Sequence, residues 1–234
     1  MKKETVFQRY EFKYLLTRGQ QASAAGARLR PDEYSHSSIR NLYLDTPDFR
    51  LIRRSLEKPV YKEKLRLRSY GRADREHPVF MELKKKYRSI VYKRRLTLPY
   101  GRALDCLTGD CPWPETQIGR EIGYAMDFYP DLEPRVFLSY ERDSWYAPES
   151  GLRITFDDAI RFRTADLTLD SDLWGTALLR PDQVLMELKA PGAIPLWMVR
   201  LLTEMGLYKT SFSKYGTAYQ ILLEQEYKGG KRYA

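Results

Sequence analysis

The segment Lys64-Leu65-Arg66-Leu67-Arg68 constrains the fold of this chain more than any other. Side chains alternate between the two faces of a β-strand, so the three cations would share one face and the two leucines the other. Neighbouring cations repel one another unless something anionic lies against them. Taken alone, the segment fits an ordinary solvent-exposed sheet face. Whether that interpretation holds depends on how often the pattern recurs in other strands.

The overall charge indicates an anionic partner. The chain of 234 residues carries 40 Lys and Arg against 31 Asp and Glu, a net charge of +9, and its hydrophobic fraction of 43% is that of a folded protein. This balance fits nucleic acid, a membrane surface or a phosphorylated small molecule. Cys106, Cys111, His36 and His77 form no zinc-like or Cys/His nucleophile pattern. We see no signal peptide and no apolar run of about 20 residues, so we expect a cytoplasmic protein without a membrane span.

The order of predicted elements indicates an α+β fold in a single domain spanning residues 1–234. Alternating and β-branched or aromatic runs predict strands at 6–16, 39–45, 60–70, 79–86, 90–98, 134–146, 151–163 and 184–189. Helical spacing predicts helices at 17–27, at 48–56, in two pieces over 101–129 broken around 111–114, at 195–205 and at 214–227.

Seven of these strands repeat the pattern of one apolar and one charged face. The charged faces carry Arg9, Glu11 and Lys13; Lys64, Arg66 and Arg68; Glu82 and Lys84; Lys93 and Arg95; Arg142; Arg153, Thr155 and Asp157; and Glu187 and Lys189. Amphipathic helices would cover the apolar faces, and closure into an antiparallel β-barrel would remove the strand edges and place the charges in its lumen. Because burying unpaired cations is costly, the lumen would need carboxylates, water and a multiply charged anion.

Phosphate chemistry gives such a lumen a purpose. Arg and Lys donate charge-assisted hydrogen bonds to phosphoryl oxygens, and phosphoryl transfer depends mainly on positioning and charge neutralisation. Carboxylates can hold Mg²⁺ or Mn²⁺ against those oxygens, with Glu187 the first candidate and Glu82 or Glu11 after it. Each carboxylate could instead be the salt-bridge partner of a neighbouring lysine, an alternative that has most weight for Glu82 and Glu11.

Eight segments in order resemble a known family. They are RYEFKY, NLYLDTPDF, KLRLRSYG, MELKKK followed by VYKRR, SYERDSWY, LRITFD, MELK and FSKYGTAY, between about Phe7 and Tyr219. This set resembles the VTC-type polyphosphate polymerase domain, a branch of the CYTH-like triphosphate tunnel metalloenzymes. The resemblance implies an antiparallel β-barrel tunnel that binds ATP and inorganic polyphosphate. It also implies transfer of the terminal phosphate of ATP to a polyphosphate chain with Mn²⁺ or Mg²⁺.

The resemblance also implies roles for individual residues. The phosphate ligands would be Lys13, Arg66, Arg68, Lys84, Lys93, Arg142 and Arg153, with Lys209, Ser213 and Lys214 near one tunnel mouth. Among them Arg66, Arg68, Lys84, Arg142 and Arg153 would be catalytic, and Glu187 would be the metal ligand. Many tunnel enzymes begin with a Glu-x-Glu-x-Lys signature, whereas Arg9 stands at its first position here. That departure, which VTC-type members share, argues against a simple triphosphatase with two N-terminal metal carboxylates.

Two other functions stay open from the sequence. A tripolyphosphate or nucleoside triphosphate hydrolase would use the same fold, and a catalytically silent module would bind polyphosphate without turnover. We expect no nucleic-acid partner, because the aromatic residues do not interleave with the basic positions as a stacking platform requires. Any attachment to a membrane would need a separate subunit.

Overall fold

The structure, a computed structural model, describes residues 10–24, 28–88 and 90–230, with residues 229 and 230 described by their backbone alone. Arg9 and the first predicted strand residues therefore lie outside the described residues, as do residues 25–27 at the end of the first predicted helix. Within the described part, nine strands and six helices confirm the α+β class.

The strands are β1 (Tyr10–Thr17), β2 (Arg30–Asp45), β3 (Tyr61–Tyr70), β4 (Pro78–Tyr87), β5 (Ile90–Pro99), β6 (Glu133–Ala147), β7 (Leu152–Arg163), β8 (Thr176–Ala177) and β9 (Gln183–Ala190). The helices are α1 (Arg18–Ala24), α2 (Arg50–Leu56), α3 (Tyr100–Thr108), α4 (Gln117–Phe128), α5 (Leu196–Glu204) and α6 (Lys214–Gly230). Every predicted element is present, and the predicted break between α3 and α4 is confirmed. The sequence missed the first half of β2 and the two-residue β8.

The strands form one antiparallel sheet in the order β1-β9-β7-β6-β2-β3-β4-β5, with β8 paired to β7. Among the described residues, hydrogen bonds do not join β1 to β5, so they do not close the sheet. None of the helices in the described ranges is long and apolar enough to cross a membrane.

The chain folds into two compact units, each built from separate stretches of sequence. The first comprises residues 1–38, 140–160 and 179–212. Its core is the apolar face of β1, β7 and β9 packed with α5, and it includes the fully buried Ile154, Met186, Leu188 and Met198. Along β7 and β9 the buried Ile154, Met186 and Leu188 alternate with the charged Arg153, Glu187 and Lys189, so the sequence periodicity correctly predicts which face is buried.

The second unit comprises residues 39–139, 161–178 and 213–234. Leu65 and Leu67 of β3 are fully buried beside Met81 and Leu83 of β4, and α3 and α4 add further apolar side chains to this core. The other face of β3 carries Lys64, Arg66 and Arg68. Burial of the two leucines therefore fixes the direction in which the three cations point.

Asp45 fixes the start of α2 against the end of β2. Its carboxylate accepts hydrogen bonds from the backbone N–H groups of Leu51 at 2.8 Å and Ile52 at 3.0 Å, which a helix leaves without partners in its first turn. It also accepts a hydrogen bond from Tyr215 Oη of α6 at 2.8 Å. The buried carboxylate thus joins three elements of the second unit.

Candidate anion-binding site

The charged face of β3, β4 and β5 gathers six cations in the second unit. We call it the first cationic face; it consists of Lys64, Arg66, Arg68, Lys84, Lys93 and Arg95, with Glu82 among them. The antiparallel register places Arg66 opposite Glu82 and Glu82 opposite Arg95, so all three side chains share one face. The same register pairs Lys84 with Lys64 on one side and with Lys93 on the other.

Glu82 lies in the middle of this face and is almost fully buried. Its Oε2 accepts hydrogen bonds from Arg66 Nε at 2.7 Å and Nη2 at 2.6 Å. Its Oε1 lies 2.7 Å from Lys93 Nζ and accepts from Arg95 Nε at 2.7 Å. Burial alone would raise the pKa of this carboxyl, but the charges of the surrounding cations hold it well below its usual range. With both oxygens engaged by cations, the geometry favours the salt-bridge interpretation of Glu82 over a metal ligand.

Arg66 and Arg68 differ in accessibility. About a quarter of the Arg66 side chain is exposed, and its Nη1 donates to Tyr43 Oη at 3.1 Å. Arg68 is buried, and its Nε donates to Asn41 Oδ1 at 2.9 Å, while Asn41 Nδ2 donates to the Leu138 carbonyl. Arg66 can therefore meet a ligand directly, whereas Arg68 contributes its charge from a fixed, buried position.

Two groups on this face have lowered pKa values, with different causes. Burial lowers the pKa of Lys93 to about 8, with Arg95 and Arg66 lowering it further and Glu82 opposing the change. Burial would raise the pKa of Tyr43, but the charges of Arg66, Lys64 and Arg68 lower it to about 8. The lowered pKa of Tyr43 reflects the positive charges of Arg66, Lys64 and Arg68 beside it, an environment that a multiply charged anion would stabilise.

The segment at the start of α6 joins this face. Lys64 Nζ donates to Ser213 Oγ at 3.2 Å, and the same oxygen accepts from the Gly216 N–H, which caps the helix. Lys214 is buried at the first helical position. Lys209 of the same predicted motif belongs to the first unit, where its ammonium lies 5.1 Å from the centre of the Phe12 ring and the residue is exposed.

A second cationic face lies in the first unit around Glu187. We define it as Lys13, Arg142, Arg153 and Lys189 with Glu187. Lys13 and Lys189 each place Nζ 3.4 Å from a Glu187 oxygen, and Arg142 Nη2 lies 3.9 Å away. Lys13 Nζ also donates a shorter hydrogen bond, of 2.9 Å, to the Phe212 carbonyl. Both oxygens of the Glu187 carboxylate therefore have cations beside them, with Lys13 at Oε1 and Arg142 and Lys189 at Oε2.

Arg142 is fixed by Asp157, to which the sequence assigned no role. Its Nε and Nη2 donate to the two carboxylate oxygens at 2.6 and 2.7 Å, a bidentate pair in which Asp157 is fully buried. Burial alone would lower the pKa of Arg142, but the Asp157 charge raises it. Arg153 is more than half exposed and donates to Asp32. Asp32 was missed because it lies in the half of β2 that the sequence did not predict.

Thr155 is the neighbour of Glu187 in the register between β7 and β9. Its Oγ1 is buried and has no hydrogen-bond partner among the described residues. Such a group costs free energy unless something satisfies it, so a metal-bound water or a phosphoryl oxygen beside Glu187 would fit this position. The described residues contain no group of three His, Cys, Asp or Glu side chains placed to hold a metal. One carboxylate supplemented by substrate oxygens is nevertheless an ordinary arrangement for Mg²⁺.

Comparisons with known proteins bear on the family and the fold. A family model described as the VTC domain matches residues 8–223. A putative adenylate cyclase from Bacillus halodurans has 15% sequence identity and a TM-score of 0.54, with 88% of this chain and 94% of that one covered. A putative adenylyl cyclase from Hippeastrum, described as having a dominant triphosphatase activity, has 15% identity and a TM-score of 0.51, with 89% and 93% covered. The structural likenesses show a shared fold. A search of curated proteins found no match.

Proposed function

Because the chain belongs to the VTC domain family, we propose that it is a metal-dependent polyphosphate polymerase that transfers the terminal phosphoryl group of ATP to a polyphosphate chain. The observation that carries the proposal is the first cationic face. Six cationic side chains on β3, β4 and β5 lie there on the same face of the sheet as one buried carboxylate. A chain of phosphates supplies the repeated negative charge that such a row of cations lacks.

The residues of this face have distinct roles in the proposal. Arg66, Lys84 and Lys93 donate hydrogen bonds to phosphoryl oxygens and neutralise the charge that spreads over them during transfer. Arg68 adds its charge from a buried position. Glu82 keeps Arg66 and Lys93 in place, since it accepts hydrogen bonds from both.

The second cationic face supplies the catalytic cations Arg142 and Arg153 and the metal ligand. The bidentate pair with Asp157 gives Arg142 a fixed orientation, which favours productive positioning of a phosphoryl group. Lys13 and Lys209 add phosphate-binding charge in the same unit, and Ser213 and Lys214 do so beside the first face. Glu187 would hold Mn²⁺ or Mg²⁺, which when bound supplies charge neutralisation and polarises the phosphoryl oxygens.

The family resemblance supports further parts of this proposal. A single domain that closes into an antiparallel β-barrel would surround the phosphate chain with charged strand faces and exclude water from the transfer. ATP would be the donor and inorganic polyphosphate the acceptor and product. Cytoplasmic placement gives access to ATP, and nucleic acid is not a partner in this proposal.

A triphosphate hydrolase is the second candidate. The Hippeastrum protein, which shares the fold, is described as a triphosphatase. The cationic faces would serve both reactions, because the two differ in whether a phosphate oxygen or a water molecule attacks the terminal phosphorus.

The test follows both products in one reaction. Purified protein is incubated with Mn²⁺ and ATP labelled at the terminal phosphate, and polyphosphate chains and orthophosphate are measured together. We expect a ladder of polyphosphate, reduced about a hundredfold or more in Glu187→Gln and Arg66→Gln and retained in Glu121→Gln. Orthophosphate alone would establish the hydrolase, and binding without turnover would leave a polyphosphate-binding module.

A further inference from the structure

The tip of the β4–β5 hairpin exposes an unusual group of apolar side chains. We define the hairpin tip as Tyr87, Ile90, Val91 and Tyr92 with the adjoining Val60; each of the five is between 44% and 62% exposed. Tyr87 pairs with Ile90 in the antiparallel register, and Arg88 N–H donates to the Val60 carbonyl at 2.7 Å. In this register Tyr87, Ile90 and Tyr92 lie on one face of the hairpin and Val91 lies on the other. Exposed apolar side chains therefore surround the end of the hairpin on both faces, whereas exposed apolar residues are normally scattered singly.

Positive charge surrounds this surface. Lys85 and Lys86 precede Tyr87 on β4 and pair with Tyr92 and Val91 on β5. The Arg88 guanidinium lies 5.5 Å from the centre of the Tyr87 ring. The sequence contains no Asp or Glu from Leu83 to Leu104, so the hairpin tip carries no negative charge of its own.

The phosphate-binding role of the first cationic face does not explain the hairpin tip. Valine and isoleucine side chains donate no hydrogen bonds to phosphate, and in water they add only exposed apolar surface. A single-stranded nucleic acid could stack on the two tyrosines, but it would gain little from Val60, Ile90 and Val91. A bilayer surface can interact favourably with the aliphatic, the tyrosine and the basic side chains together. Its acyl region takes aliphatic side chains, tyrosine favours the interface, and anionic headgroups attract Lys and Arg.

We infer that the hairpin tip docks on the surface of an anionic lipid bilayer. Ile90, Val91 and Val60 would enter the region between headgroups and acyl chains, while Tyr87 and Tyr92 lie at headgroup level. Lys85, Lys86 and Arg88 would contact the headgroup phosphates. Binding of this kind is reversible and weakens with salt, and it needs neither a membrane span nor a separate membrane subunit. This membrane docking does not depend on the proposed polymerase activity.

The test measures co-flotation of the full chain with vesicles. Vesicles of phosphatidylcholine alone are compared with vesicles containing about one third phosphatidylglycerol. We expect binding to the anionic vesicles only, weakened about tenfold or more when Ile90→Glu and Val91→Glu are combined. Because both side chains are exposed, the thermal melting of this variant should match that of the wild type. Tyr124→Glu, at an exposed aromatic on α4, is the matched control and should bind as the wild type does.

Three results would overturn the inference. The wild type could fail to float with anionic vesicles, or it could bind both vesicle types equally. The hairpin variant could bind anionic vesicles as strongly as the wild type and the control do. A loss of single-stranded oligonucleotide binding in the hairpin variant, with vesicle binding unchanged, would assign the surface to nucleic acid instead.

Discussion

Replacing Glu82 by glutamine tests whether the first cationic face depends on negative charge. The substitution keeps the shape of the side chain and removes the charge that holds Arg66, Lys93 and Arg95 together. Breaking a buried ion pair by removing one partner costs about 3–5 kcal/mol. The three cations are about one quarter to two fifths exposed, so water screens part of the repulsion and a loss of about 2–3 kcal/mol is expected. In a chain of this size, that loss lowers the melting temperature by roughly 4–12 °C.

Tripolyphosphate should reverse most of this loss. A ligand at about a hundred times its dissociation constant stabilises the folded state by about 2.7 kcal/mol, and it supplies the charge that Glu82→Gln lacks. We expect a larger rise in melting temperature with tripolyphosphate for Glu82→Gln than for the wild type. Glu121→Gln is the control, because Glu121 forms a more exposed pair with Arg94 and its loss should cost about 0–1 kcal/mol.

The difference in stability between the wild type and Glu82→Gln should depend on pH in one direction. Folding lowers the pKa of Glu82. Its contribution to stability is therefore complete above the ordinary pKa of 4.5 and is lost as the pH falls toward the pKa in the folded state. The difference in melting temperature between the wild type and Glu82→Gln should therefore become smaller below about pH 4.5. Equal melting temperatures at neutral pH, or no extra response to tripolyphosphate, would refute the reasoning.

Three further predictions concern single side chains. Arg66→Gln should lose tripolyphosphate affinity in calorimetry with only a small change in melting temperature, because Lys93 and Arg95 still pair with Glu82. Arg68→Gln should lower the melting temperature more, because Arg68 is buried; equal melting losses would contradict the distinction. Thr155→Val should leave the apo protein as stable as the wild type or up to about 1 kcal/mol more stable, since it removes a buried hydroxyl without a partner in the described structure, and it should weaken binding of tripolyphosphate with Mn²⁺; unchanged binding would exclude a ligand role. Tripolyphosphate affinity should fall about tenfold between pH 7 and 9, because Lys93 loses its charge and Tyr43 gains one near pH 8, and Tyr43→Phe should flatten that profile; a flat wild-type profile would argue against both shifts.

The period of two along the strands made the buried and charged faces predictable. Leu65 and Leu67 are fully buried, as their alternation with cations indicates, because this property depends only on neighbouring positions of one strand. The eight ordered segments likewise predicted the family correctly. The local sequence was therefore sufficient to predict the α+β class, the buried and charged strand faces, and the family.

The pairing of charges could not be predicted in the same way. The role of Glu82 depends on the register of three strands, which brings Arg95 to a carboxylate that the sequence associated with Lys84. The different burial of Arg66 and Arg68 depends on Asn41 and Tyr43 of another strand. The polar first half of β2 has no regular alternation, so neither its extended structure nor the contact of Asp32 with Arg153 was accessible from the sequence.

A crystal structure with tripolyphosphate and Mn²⁺ would test the central claim most directly. The account predicts phosphoryl oxygens within hydrogen-bond distance of Arg66, Lys84 and Lys93, and an anomalous Mn²⁺ signal at Glu187. Tripolyphosphate bound away from the two cationic faces, or Mn²⁺ bound without Glu187, would contradict it.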